Sequence, residues 1–256
     1  MTDLPVTDAC QATGPARLAL LPGAPAQLAG PRLPDEAAAA AYPLVLGTRD
    51  GVLALWRPQG RETPLYVDFS GGRMGYRLSA ERARHERLVR AAGRLPDEGG
   101  LLVDATAGLG RDAALLAAAG WQVVMLERHP VLHALLADGL ARAPLLAGRL
   151  TLVQADSCAW LAQSSEAPTV VYLDPMFPAR DKSAAVKKEL VWLQWLTDAT
   201  PDETEEAALL AAALATASKR VVVKRPLRAA PLAGRAPSHA HSGKTVRFDV
   251  YGVLPA

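Results

Sequence analysis

Four short apolar runs, each ending in an acidic residue, constrain this chain more than any other feature. They are Leu101 to Val103 with Asp104, Gln122 to Leu126 with Glu127, Leu150 to Ala155 with Asp156, and Val170 to Leu173 with Asp174. Short runs rich in Val and Leu read as strands buried on both faces, as in a mostly parallel sheet covered by helices. In open α/β sheets ligands bind outside the carboxyl ends of the strands, so the four acids are expected to converge on one crevice.

The first run leads into Ala105-Thr106-Ala107-Gly108-Leu109-Gly110, then Arg111, Asp112 and an alanine-rich stretch from Ala113 to Ala119, with Gly120 placed to stop a helix. Glycines at such a strand-turn-helix corner let the backbone approach a ligand, and the helix N-terminus offers unpaired N–H groups. The spacing lacks the complete G-x-G-x-x-G of a dinucleotide site. Asp104 beside the loop would repel a pyrophosphate and welcome the ammonium of a methionine moiety. Glu127 follows Asp104 by roughly the 20 residues at which an acid grips ribose hydroxyls in doubly wound folds. A solvated acid at a strand end has the same spacing, and spacing does not choose between the two.

The fourth run continues as Asp174-Pro175-Met176-Phe177-Pro178. Asp174 can accept hydrogen bonds from an amine, the prolines free carbonyls from any ladder, and Phe177 offers a face for stacking. An exocyclic amino group on a nucleobase fits all three. The same residues also suit an ordinary proline-punctuated turn, and the glycine corner upstream favours the ligand.

Together these segments resemble a Rossmann-like S-adenosylmethionine-dependent methyltransferase. Val103-Asp104-Ala105-Thr106-Ala107-Gly108-Leu109-Gly110-Arg111-Asp112-Ala113, Met125-Leu126-Glu127-Arg128, the run from Val170 to Pro178, Lys182-Ser183-Ala184 with Val186-Lys187-Lys188-Glu189, and Lys219 to Pro226 resemble the ribosomal RNA small subunit methyltransferase J family. The similarity runs from about Leu65 to Tyr251. It implies S-adenosylmethionine as cofactor, S-adenosylhomocysteine as product, and methylation of the exocyclic N2 of one guanine in small-subunit (16S) ribosomal RNA, free or in an assembled subunit. The family's cofactor positions fall on Arg111, Asp112, Glu127, Arg128, Asp156, Ser157 and Asp174. Two departures stand out. The segment Tyr76 to Glu86 keeps basic charge where the family has a glycine-rich stretch, and Asp156 stands where a serine is common. Asp174, Pro175 and Phe177 are the expected catalytic group, with Asp104 and Gly108 added on the cofactor side. Arg77, Arg84, Lys187, Lys188 and Arg225 are expected to meet RNA, the last three at phosphate or guanine O6, although solvated faces account for them equally well.

Composition sets the outer frame. The chain has 256 residues, 50% of them hydrophobic, enough to bury a full core, and its formal charge of +2 does not announce a nucleic-acid partner. Charge distribution says more: seven arginines and one histidine lie between Arg73 and Arg94 against Glu81 and Glu86, and a second basic run spans Lys219 to Arg235. The two cysteines, Cys10 and Cys158, lack partners at ligand spacing, so neither a disulfide framework nor a structural zinc site is expected, nor any other metal. Prolines interrupt every apolar stretch of residues 1–40, which argues against a signal peptide or membrane span and for a cytoplasmic protein.

Punctuation by Gly, Pro and Asp gives three parts: an Ala/Pro-rich segment 1–40, a small β-rich subdomain with a basic helix at 41–95, and the Rossmann-like domain at 96–256. Strands are expected near Tyr42–Leu46, Val52–Trp56 and Leu65–Phe69, and one helix from Ser79 to Ala92. Trp192 and Trp195 on a later helix read as core. Pro226 to Lys244 reads as a proline-broken loop long enough for a substrate lid. Methylation of another nucleobase amino group, such as adenine N6, is the nearest alternative. An NAD-dependent oxidoreductase and a non-catalytic RNA-binding module rank lower, because neither accounts for both strand-end motifs.

Overall fold

The computed structural model describes residues 17–96, 99–165, 167–175, 191–193, 195–196 and 202–253. The chain divides into two units, Met1–Leu65 and Tyr66–Ala256.

The first unit is a three-stranded sheet of β1 (Leu18–Leu20), β2 (Leu44–Arg49) and β3 (Val52–Trp56), with β1 parallel to β2 and β2 antiparallel to β3. Asp50 and Gly51, both with positive φ (52° and 79°), make the two-residue turn between β2 and β3, the left-handed geometry that Asp-Gly hairpins supply. β1 falls inside the Ala/Pro-rich segment, where composition gave no sign of a strand. Its Ala19 packs in a cluster with Leu21, Ala39, Val45, Ala54 and Trp56. The expected strand at Leu65–Phe69 reduces to a single bridge between Leu65 and Leu55.

The second unit opens with three short helices: α1 (Gly72–Arg77), α2 (Ala80–Ala83) and α3 (Arg87–Ala92). One continuous helix over Ser79–Ala92 was expected. Extended backbone at Glu86 (φ −65°, ψ 140°) breaks it in two. This arginine-rich segment belongs with the large sheet's unit rather than with the small sheet.

There follow β4 (Leu101–Asp104), α4 (Arg111–Ala118), β5 (Gln122–Leu126), α5 (Pro130–Ala141), α6 (Pro144–Ala147), β6 (Leu150–Val153), α7 (Ser157–Gln163) and β7 (Val170–Leu173). Then come α8 (Glu203–Thr216), β8 (Arg220–Pro226), β9 (His239–Ser242) and β10 (Val246–Gly252). Asp202 caps α8 by accepting the Thr204 N–H at 2.8 Å, and three glutamates occupy its first turn, where the helix dipole favours them.

The seven strands lie in the order β6-β5-β4-β7-β8-β10-β9, all parallel except β10, which runs antiparallel to both neighbours. Chain order runs outward from β4 to β6, then jumps back across β4 to place β7 on its other side. That reversal opens a crevice between the carboxyl ends of β4 and β7. The buried strand residues Val103, Val171, Leu173, Val221 and Val223 pack with Leu210, Ala213 and Tyr251 in one core. The stretch expected as a lid, Pro226 to Lys244, contains β9, an edge strand held to β10. Trp192 is 2% exposed, as expected of a core residue. Among the described residues no helix is long and apolar enough to cross a membrane.

Candidate active site

Two neighbouring strand ends and the start of α7 are tied to the corner that joins β4 to α4. The Ala105 N–H donates to the Tyr172 carbonyl of β7 at 3.0 Å, and the Ala107 N–H donates to the Leu126 carbonyl of β5 at 3.2 Å. The Ser157 hydroxyl, at the start of α7, donates to the Ala105 carbonyl at 2.6 Å. Gly108 and Gly110 both take positive φ (54° and 69°). At Gly110 a Cβ would stand 2.6 Å from Leu136 Cδ1 and 3.2 Å from Phe69 Cζ, so the helix can start here only without a side chain.

Glu127 leans over this turn. Its Oε2 accepts the Gly108 N–H at 3.0 Å and its Oε1 the His129 N–H at 2.8 Å. Burial pushes the carboxyl upward in pKa, and the two N–H donors and Arg128 oppose that shift. The carboxylate is thereby fixed at the rim of the crevice, in reach of a polyhydroxy ligand on its remaining lone pairs.

Asp156 caps α7, accepting the Ala159 N–H at 3.0 Å, while Arg128 lies 4.0 Å from its other oxygen and 3.4 Å from Glu205. Arg111 opens α4 and is exposed.

The expectation for Asp104 needs correcting. It lies beneath the corner, 1% exposed, with one oxygen on the Thr106 N–H at 3.1 Å. Burial raises its pKa to about 8, opposed by the Thr106 N–H and helped by the nearby charges of Asp112 and Asp174. It is a buried, largely neutral acid at pH 7 rather than an anion open to a ligand's ammonium.

The open acids are its neighbours. Asp174 follows β7, and its N–H donates to the Thr106 hydroxyl at 2.6 Å. Lys224, from β8, extends its ammonium between Asp174 Oδ2 at 2.7 Å and Asp112 Oδ2 at 2.8 Å. The Tyr172 hydroxyl donates to the same Asp112 oxygen at 2.7 Å. Burial alone would favour a neutral amine, but the two carboxylates and their hydrogen bonds outweigh it and hold Lys224 above the ordinary lysine value.

All four strand-end acids therefore lie along one edge of the sheet, as their spacing in sequence implied. Sequence reasoning missed Tyr172 and Lys224 as members of the site. Lys224 carried a signal: Lys224 and Arg225 follow Val221-Val222-Val223 in a buried strand, and a cation placed there needs an acid partner.

The RNA-side expectations divide. Arg77 is half-exposed, donates to Glu86 at 2.8 Å and feels the charge of Asp112. Arg84 is exposed at the end of α2. Arg225 does not fit its expected role: it is 8% exposed, with Nε on the Ala230 carbonyl at 3.0 Å and NH1 3.9 Å from Glu206. Its alternate strand position points it into the protein, where it holds the segment after β8 against α8. Phe177, Lys187 and Lys188 lie outside the described residues.

Residues 35–253 match a family described as "Putative SAM-dependent methyltransferase". The chain is 56% identical over 91% of its length to a protein of Alcanivorax borkumensis named ribosomal RNA small subunit methyltransferase J, 95% of which is covered. The chain belongs to that family. A second member, from Thioalkalivibrio sulfidiphilus, is 49% identical over 86% of the chain and 88% of the relative. Among solved structures, a SAM-dependent methyltransferase of Neisseria gonorrhoeae superposes with a TM-score of 0.66 at 30% identity, over 93% of this chain and 97% of that one. Membership makes the enzyme an S-adenosylmethionine-dependent methyltransferase, and the crevice suits that cofactor: a glycine corner beneath, a fixed carboxylate at the rim, and acids where a cationic donor needs them.

Proposed function

We propose that this enzyme transfers a methyl group from S-adenosylmethionine to the exocyclic N2 of a guanine in small-subunit (16S) ribosomal RNA. The observation that carries the reading is the position of Asp174 and Pro175: they close β7 directly beside the glycine corner, at the point where strand order reverses. The named activity of the relatives supports the RNA class, and the acid-proline pair supports an amino group as acceptor.

The cofactor supplies a methyl group already electrophilic on its sulfonium, so the protein's task is chiefly placement. Near-attack placement is worth about 7 to 11 kcal/mol of barrier. Glu127 takes the ribose hydroxyls, and Asp156 takes the adenine amino group with Ser157 behind it. Gly108, Arg111 and Asp112 border the methionine end, and Arg128 steadies Asp156. Asp104 shapes the corner from beneath. On the acceptor side, Asp174 and the Pro175 carbonyl accept the two N2 hydrogens. This raises electron density on a nitrogen whose lone pair is otherwise delocalised into the ring, and Asp174 or water then takes the released proton. Phe177 stacks on the extruded guanine, offsetting an unstacking cost of a few kcal/mol. Arg77, Arg84, Lys187 and Lys188 meet the RNA backbone. Methyl transfer from a sulfonium to an amino nitrogen calls for no metal.

The test is transfer of labelled methyl from S-adenosylmethionine to small ribosomal subunits, and to their free RNA, from a strain lacking this gene, with Asp174→Ala alongside. Label in N2-methylguanosine that disappears with the variant is expected. Label in another nucleoside would overturn the guanine assignment, and absence of label from both substrates would overturn the RNA reading.

A further inference from the structure

Lys224 stands out because the reaction as described makes no use of it, yet its ammonium sits between two of the crevice acids. Its ammonium is 2.7 Å from Asp174 Oδ2 and 2.8 Å from Asp112 Oδ2, so it joins the acceptor side of the crevice to the first turn of α4 on the cofactor side. The groups around it come from every adjoining element: Asp104 at the end of β4, Asp112 on α4, Tyr172 on β7, Asp174 just after it, and Arg77 from α1 in electrostatic reach of Asp112. Asp174 is also gripped from its backbone side by the Thr106 hydroxyl at 2.6 Å. A short polar side chain following a strand swings freely unless something fixes its far end, and a lysine reaching from the next strand does that.

We propose that Lys224 is a positioning residue for methyl transfer: it fixes the plane of the Asp174 carboxylate toward the target amine and locks it in register with Asp112 beside the cofactor. The inference rests on the reading that Asp174 accepts the amino hydrogens. Two further features agree with it. Tyr172 donates to the Asp112 oxygen that Lys224 also holds, so Asp112 is fixed from two strands and acts as an anchor for the ammonium rather than as a second mobile acid. Lys224 also opposes the upward shift of buried Asp104, so its removal leaves the carboxylates of Asp112 and Asp174 facing Asp104 without the ammonium between them.

The experiment compares the full-length wild type with Lys224→Met and Lys224→Arg, measuring kcat and KM for small subunits, the pH dependence of kcat, and the melting temperature of the free protein across pH. The methionine variant is expected to lose about 100-fold in kcat, the scale of a misplaced catalytic group, with KM for the subunit within about threefold. Its acid limb should move to higher pH, because a proton enters a cluster of like charges more readily. Its melting temperature should fall more steeply than that of the wild type as pH rises. The arginine variant keeps the charge and should recover at least about tenfold of the lost kcat and restore the acid limb. If the methionine variant does not fold, Lys224→Gln, which keeps a donor without the charge, takes its place with the same readings. A folded Met or Gln variant with kcat within about threefold of wild type overturns the proposal. So does equal loss in the uncharged and arginine variants with an unmoved pH profile, since that would mark a merely structural lysine. If the wild type labels a nucleoside other than N2-methylguanosine, the guanine reading fails instead, and the lysine comparison still stands on whatever amine is labelled.

Discussion

Replacing Asp104 by asparagine should make the free protein more stable, by an amount that grows with pH. Asp104 is 1% exposed, and its pKa is raised from 3.8 to about 8, chiefly by burial. In the unfolded chain the same carboxyl titrates near its ordinary value. Between the two values the native state keeps a proton that the unfolded state has released. A raised pKa therefore contributes stability that is fully present below about pH 4 and is lost as pH climbs toward about 8, where the native carboxyl ionises too. Each unit between the two values is worth about 1.4 kcal/mol, which caps the effect at roughly 6 kcal/mol and gives about 4 kcal/mol at neutral pH. Asparagine carries no charge in either state and keeps an oxygen for the Thr106 N–H that Asp104 accepts at 3.1 Å. Urea unfolding of both proteins without cofactor, from about pH 5 to about pH 9, gives the difference curve directly, because every other group titrates in both. The variant should gain on the wild type by up to about 1.4 kcal/mol per unit below the native pKa and level off above it. A flat difference, or a wild type that gains on the variant as pH rises, would refute the argument from burial.

Gly110→Ala should cost about 2 to 3 kcal/mol in thermal or urea unfolding, because the residue has φ +69° and its Cβ would meet Leu136 Cδ1 at 2.6 Å. Asp156→Ala should lose about 1 kcal/mol with the cap to the Ala159 N–H and also raise KM for S-adenosylmethionine; Asp156→Asn should keep most of the cap, so that a KM increase in both variants isolates the cofactor contact. Arg225→Ala should destabilise by about 3 kcal/mol, since it leaves Glu206 without its buried partner, and should leave KM for the subunit unchanged. Arg84→Ala should do the reverse, leaving stability within about 0.5 kcal/mol while weakening subunit binding and lowering its salt slope by about one.

Much of the large sheet was legible because its strands are short apolar runs closed by acids and glycines, and a parallel sheet buries both faces, so nothing but hydrophobicity is asked of Val103, Val171 or Val222. The crevice was legible for the same reason, since chain order and strand direction place Asp104, Glu127, Asp156 and Asp174 on one edge. Which way each acid faces was not. Asp104 and Asp174 end adjacent strands with the same local pattern, yet one is buried under the corner and the other opens beyond it. Only the path of the following backbone decides that, through the Thr106 hydroxyl that holds Asp174 and the Thr106 N–H that covers Asp104. Arg225 misled for a similar reason. Basic residues in a cluster look alike in sequence, whereas strand alternation sends Lys224 to the crevice and Arg225 to Glu206. β1 and β9 were missed because three- and four-residue strands carry too few side chains to show a period, and each exists only through its neighbour.

The placement of these acids also accounts for the charge of the crevice. Among the described residues, Asp112 and Asp174 share the Lys224 ammonium, two carboxylates to one cation, while burial keeps Asp104 from adding a further charge below about pH 8. A sulfonium donor brings the compensating positive charge, and its product does not. The crevice is therefore matched to the donor and mismatched to the product, and ionisation of Asp104 would deepen that mismatch. Discrimination between S-adenosylmethionine and S-adenosylhomocysteine should accordingly widen as pH rises through about 8 in the wild type and stay constant in Asp104→Asn, which calorimetry on the two proteins with both ligands would decide. An unchanged ratio in the wild type would mean that the excess charge is screened from the ligand, and that donor preference comes from shape alone.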